Sequence, residues 1–244
     1  MNDVQVLFSP LPATILEIQT TVSSVRFDRY LRVANGDSLT ALHLYRWNSF
    51  LGQSLYWPIQ TLEVACRNTI SKVLAARFGA NWHCNEKFRR QLSREDSAKL
   101  DETVDRQRRD KKMRHLPVDA IVADLPFGFW TSMLTAHYNV PLTWQRNLPI
   151  AFPHTPSRFP LHSVHRPMED TRILRNRISH HEPIFDRRLD LSYGDILRVL
   201  GWICPASQRY VEHTSSFPET WRGCPIHDVR GAATRAGLEF AASL

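Results

Sequence analysis

The chain has 244 residues, a length between one generous domain and two small ones. Hydrophobic residues make up 43% and charged residues 23%, which excludes a disordered tail or a fibrous chain. Lys and Arg number 31 against 24 Asp and Glu, and the formal net charge of +7 suits a polyanionic partner without specifying one.

The first residues, Met1-Asn2-Asp3-Val4-Gln5-Val6, lack the charged and apolar regions of a secretory signal, and no apolar run is long enough for a bilayer. A cytoplasmic protein without membrane association is expected. Cys66, Cys84, Cys204 and Cys224 are scattered and read as reduced thiols.

Apolar residues recur at three- and four-residue intervals through most of the chain and strand signals are scarce, which predicts an all-α protein. A first helix is expected from Pro12 to about Val33, with Ile15, Ile18, Val22, Val25, Tyr30 and Leu31 on its buried side. Asn35-Gly36-Asp37-Ser38 breaks and recaps the chain. The pattern resumes from Ser38 to Phe78, with Gly79 placed just past the helix end. Gly52 and Pro58 interrupt it, so this stretch is two helices or one kinked helix.

Ser93-Arg94-Glu95-Asp96 has the form of a capped helix start. The segment it opens ends in a basic run whose Arg106, Arg108, Arg109, Lys111, Lys112 and Arg114 either form a solvated helical face or contact RNA phosphates. From Leu116 to Pro167 the chain turns aromatic and proline-rich, which suits short helices; Phe127, Phe129, Trp130, Trp144 and Phe152 belong to a core or stack on bases. Further helices are expected from Met168 to about His181 and from Ser192 to Trp202. No repeat or linker is evident, so one domain over 1–244 is expected, with a loosely attached tail from about 218.

The densest polar cluster is Arg172-Ile173-Leu174-Arg175-Asn176-Arg177-Ile178-Ser179-His180-His181-Glu182-Pro183. Pro183 disfavours helical backbone at Glu182, so the helix should end near His180 or His181. The histidines then lie at a helix C-terminus beside Glu182, where an imidazole can hold or shed a proton near neutrality. Asn176 and His180 share a helical face, whereas Arg175 and His180 lie about 140° apart on an ideal helix. RNA cleavage by its own 2′-hydroxyl needs a proton acceptor, a proton donor and positive charge on the phosphate, and histidine and arginine supply these without a metal. The same residues would also suit a helix cap closed by a pairing with Glu182.

A second polar group, Glu63, Arg67 and Asn68, lies in an apolar helix. Glu63 and Arg67, four apart, can pair with each other, or Arg67 or Asn68 faces Arg175 and His180 from the neighbouring helix. Cys224-Pro225-Ile226-His227 has ligand spacing without a matching second pair, and His83-Cys84 lacks the usual gap, so no metal or other cofactor is expected. No phosphate-binding glycine loop, nucleophile elbow or His-Glu-x-x-His occurs.

Arg175-Asn176-Arg177-Ile178-Ser179-His180 resembles the Arg-Asn-x-x-x-His motif of the HEPN superfamily of helical ribonucleases. Leu174 to Ile184 is more closely similar to the matching segment of the Abi-like, or abortive-infection, proteins. Ala41 to Asn48, Leu62 to Ile70, Phe78 to Trp82, Phe129-Trp130, Trp144 and Ala151-Phe152-Pro153 resemble that family in the same order, from about residue 25 to 215. The resemblance implies a HEPN-like helical bundle with additional helices and metal-independent endoribonuclease activity in bacterial antiviral defence. By the same resemblance Arg175, Asn176 and His180 are catalytic, with His181, Glu182, Arg177, Glu63, Arg67 and Asn68 as supporting or alternative residues. HEPN nucleases act as pairs of motifs, so one motif per chain implies a homodimer with a composite site. An RNA or protein antitoxin is an expected restraint, and a non-cleaving RNA-binding or regulatory module is the rival reading.

Overall fold

The computed structural model of the chain describes residues 11–111 and 116–226, with the side chains of Asp110 and Lys111 outside that description. Among the described residues there is no strand, and the fold is all-α. The helices are α1 (Pro12–Val22), α2 (Ser24–Val33), α3 (Ser38–Phe78), α4 (Glu86–Arg89), α5 (Arg94–Lys111), α6 (Val118–Asp124), α7 (Phe127–Ser132), α8 (Trp144–Ala151), α9 (Leu161–Ser179), α10 (Leu189–Ile203), α11 (Pro205–Thr214) and α12 (Phe217–Arg222). None of them is long and apolar enough to cross a membrane. None of the four cysteines is in a disulfide.

The expected first helix is two. Ser23 takes φ 80 after Thr20, Thr21 and Val22, a β-branched run of low helix propensity, and the break resets the helical phase. Val25, expected on the buried side, is 86% exposed, while Phe27 and Tyr30 face inward. Asn35 and Gly36 turn the chain with positive φ, and the Asp37 carboxylate accepts the Thr40 N–H at 2.6 Å to start α3. That helix passes through Pro58 as one element and ends at Gly79, which has φ 90 and donates to the Ala75 carbonyl.

Contacts divide the described residues into two compact units, one of residues 11–55, 177–190 and 216–226, the other of the described residues of 56–176 and 191–215. In the first, Tyr30 packs between Tyr45 and Phe185, with ring centroids 5.3 and 5.1 Å away. Trp47 stacks on Trp221 and donates its Nε1–H to the Thr220 carbonyl, seating α12 within this unit. Phe217 is buried. The tail expected from about 218 thus begins inside α12, and residues 227–244 lie outside the described part.

The second unit is built on an aromatic cluster of Trp82, Phe88, Phe129 and Trp130. Phe127, Trp144 and Phe152 are buried as well, so these aromatics are core and do not present faces to a base. The predicted cap of α5 is present: Ser93 Oγ accepts the Asp96 N–H at 3.1 Å and donates to the Asp96 carboxylate at 2.8 Å. Buried Asp96 also accepts from Ser132 and Tyr138, and burial pushes the Tyr138 phenol up to about 12. Helix α9 starts seven residues before the expected Met168, because Pro167 is accommodated inside it.

Candidate active site

Helix α9 delivers the polar cluster. Its last residue is Ser179, and the chain then closes a two-bond turn: His181 N–H donates to the Ile178 carbonyl at 3.0 Å and Glu182 N–H donates to the Arg177 carbonyl at 2.9 Å. This is a Schellman ending, in which His181 holds the left-handed position with φ 55 that glycine usually fills. Pro183 follows, where the chain can no longer continue the helix. Arg177 Nη1 lies 3.2 Å from Glu182 Oε2 and ties the same turn through side chains. The predicted helix end is therefore correct to a residue, and Glu182 pairs with Arg177. His180 and His181 are both exposed, so their imidazoles are open to a ligand.

The segment after the turn is anchored by α3. Asn48, buried among the apolar residues Leu44, Leu51 and Leu55, accepts through Oδ1 from the Ile184 N–H at 2.7 Å and the Phe185 N–H at 3.2 Å. Its amide nitrogen points at the Glu182 carbonyl from 3.5 Å. In the sequence Asn48 is visible only as the end of a segment resembling the Abi-like family. The signal that could have singled it out is one amide in a stripe of buried aliphatic residues, which must find a partner.

Arg175 and Asn176 belong to the other unit. There Arg175 Nε stands 3.7 Å from Glu63 Oε2, an ion pair between α9 and α3. The spacing-based pairing of Glu63 with Arg67 is not the one formed, since Arg67 Nη1 instead donates to the Ala123 carbonyl at 3.2 Å and its buried Nε has no hydrogen-bond partner. Four-residue spacing makes a pair accessible, but α6 ends against Arg67 and offers it a carbonyl. Asn68 is exposed on α3. Burial pushes the Cys66 thiol up, with the Glu63 carboxylate adding to the shift.

One turn before Arg175, Arg172 grips Glu169 through two bonds of 2.5 and 2.8 Å, and Thr131 of α7 donates to the same carboxylate at 3.2 Å. The Arg172 guanidinium holds the Glu169 carboxyl below its ordinary range.

The basic run divides. Arg106 is committed to Asp124 at 2.9 Å and Glu102 at 3.4 Å, joining α5 to α6. Arg108, 4.0 Å from Asp105, and Arg109 are exposed. Lys112 and Arg114 lie outside the described residues, as does the side chain of Lys111. His227 of the cysteine-histidine pair is also outside them, and among the described residues no group of three His, Cys, Asp or Glu could hold a metal ion.

The model of the Abi-like protein family matches residues 18–186. No curated protein and no solved structure matches the chain.

Proposed function

The chain belongs to the Abi-like protein family, and on that premise we propose that it is a metal-independent endoribonuclease of bacterial anti-phage abortive infection or of a toxin and antitoxin pair, working in the cytoplasm. The observation that carries this reading is the Arg175-Asn176-x-x-x-His180 motif at the end of α9, with His180 exposed past a fixed helix end. One histidine takes the proton of a ribose 2′-hydroxyl, O2′ attacks the adjacent phosphorus, and the bond from phosphorus to O5′ breaks. A protonated histidine gives its proton to the departing O5′, leaving a 2′,3′-cyclic phosphate and a 5′-hydroxyl. Arg175 supplies positive charge to the phosphate and Asn176 a further hydrogen bond. Its ion pair with Glu63 is part-exposed and of the kind worth about 0–1 kcal/mol, so a phosphate competes for the guanidinium.

The two proton-transfer roles are divided between two copies in a homodimer with a composite site, and Arg108 and Arg109 add phosphate contacts outside the chemistry. An antitoxin, RNA or protein, restrains the enzyme in the cell.

The test incubates purified protein with mixed single-stranded and structured RNA in excess chelator, alongside His180→Ala and Arg175→Ala. Cleavage with cyclic-phosphate ends is expected, reduced about 10²–10⁴-fold by His180→Ala at unchanged RNA binding, whereas Arg175→Ala weakens both. Sedimentation is expected to show a dimer. Intact RNA that shifts on a gel would establish the non-cleaving binding module instead.

A further inference from the structure

We infer that Asn48 and Gly52 of α3 form a positioning clamp that fixes the backbone on both sides of His180 and His181, an inference that rests on the reading of this turn as the proton-transfer element. The two residues are one helical turn apart and face the same stretch of chain. Before the histidines, a Cβ on Gly52 would stand 3.3 Å from Ile178 Cγ2, tighter than an ordinary contact, so α3 packs closely on the last turn of α9 at Ile178. After them, Asn48 Oδ1 receives two consecutive free amides, those of Ile184 and Phe185, and its nitrogen faces the Glu182 carbonyl. Pro183 has no N–H to offer and the Glu182 N–H is taken by the Arg177 carbonyl, so Asn48 meets the two remaining backbone amides of residues 182–185 and one of their carbonyls.

Ile184 and Phe185 are each 1% exposed, and buried amides of this kind need a partner. Satisfying them is a structural duty that any residue with a suitable acceptor could perform. The positioning duty follows from where the two grips fall. Ile178 is held on one side and Glu182 to Phe185 on the other, leaving only Ser179, His180 and His181 between. Those three are spanned by the two Schellman bonds and by the Arg177–Glu182 ion pair. The result is an exposed pair of imidazoles on a backbone with little room to move. Proton transfer rewards that arrangement, because a displacement of about 1 Å at a reacting group can reduce a rate about 10²-fold.

The test compares Asn48→Leu, which keeps the volume and loses the hydrogen bonds, with Asn48→Asp, which keeps both acceptor bonds, and with Leu44→Ala, a cavity in the same buried face of α3. All are assayed on RNA at a temperature where each is folded. Asn48→Leu is expected to lower kcat by about 10–10²-fold with KM changed less than about threefold, as loss of alignment predicts. Asn48→Asp keeps the two acceptor bonds but sets an oxygen against the Glu182 carbonyl, so it recovers part of the kcat lost in Asn48→Leu, whereas Leu44→Ala leaves kcat within about threefold despite its lower stability. Unchanged kcat in Asn48→Leu, or an equal fall in Leu44→Ala, would overturn the clamp.

A second measurement is independent of cleavage. Imidazole NMR signals of His180 and His181 should move in Asn48→Leu and stay in place in Leu44→Ala, with His137 as an unaffected reference. If wild-type protein leaves RNA intact while these signals move, the nuclease reading fails and the clamp stands; if they do not move, the clamp fails.

Discussion

At His181 the chain accepts a backbone conformation that side chains disfavour, with φ 55 at the position closing α9. A left-handed residue of this kind carries about 1–2 kcal/mol of strain, offset in part when glycine's greater freedom in the unfolded chain is considered. His181→Gly is therefore expected to stabilise the protein by about 1 kcal/mol or less, read from urea unfolding. The same variant separates the two histidines chemically. Cleavage retained in His181→Gly and lost in His180→Ala would assign the proton to His180, and the reverse result would move the role one residue along. Pro183 made the place of this turn legible in the sequence, but the left-handed backbone was not legible, since no glycine marks it.

Among the elements, α9 is the one on which site and fold depend together. The Arg172–Glu169 fork and the Thr131 hydroxyl attach it to α7 one turn before Arg175. Because Arg172 holds the Glu169 carboxyl below its ordinary value, the resulting stability is fully present above the unfolded carboxyl's pKa and is lost as pH falls through the lower folded value. Arg172→Gln should therefore destabilise the protein at pH 7, by an amount that shrinks as pH is lowered through and below the ordinary carboxyl range, checked by denaturant unfolding across that range. A difference that persists undiminished in acid would show that Arg172 acts through packing alone.

Prolines lie inside α3 and α9. The helix expected from Met168 runs from Leu161 through Pro167, and of the two alternatives at Pro58, two helices or one, α3 is one element. A helix interior loses a hydrogen bond at proline, but burial of Pro58 and Pro167 in packed faces compensates, which local sequence does not reveal. At Ser23 the expected single helix is two, since periodic apolar residues on both sides concealed a break made by β-branched and serine residues.

Over the whole molecule, the family match ends at residue 186 while the fold continues. Helix α10 buries Ile196, Val199 and Leu200, α11 buries Val211, and α12 buries Phe217 with Trp221 against Trp47. Each fully buried large apolar side chain contributes about 1.5–3 kcal/mol, so losing these helices removes an amount comparable to the whole stability of an ordinary domain. A chain of residues 1–186 is expected to lose cooperative thermal unfolding and to aggregate. A soluble, cooperatively folded 1–186 fragment would show that the matched region is self-sufficient.

The sequence by itself determined the all-α class, the cap at Ser93, the end of α9 shortly before Pro183 and the polar cluster from Arg172 to Glu182, because these follow from periodicity, capping and backbone restriction over a few residues. Only the tertiary structure decided that Glu63 pairs with Arg175, that Arg67 reaches the end of α6, that Arg106 is bound to Asp124, and that Asn48 holds the segment after the histidines. Each is a partnership between groups from different helices or distant segments. A buried or part-buried polar group takes whichever donor, acceptor or charge packing brings within reach, and that choice is made across the fold and not along the chain.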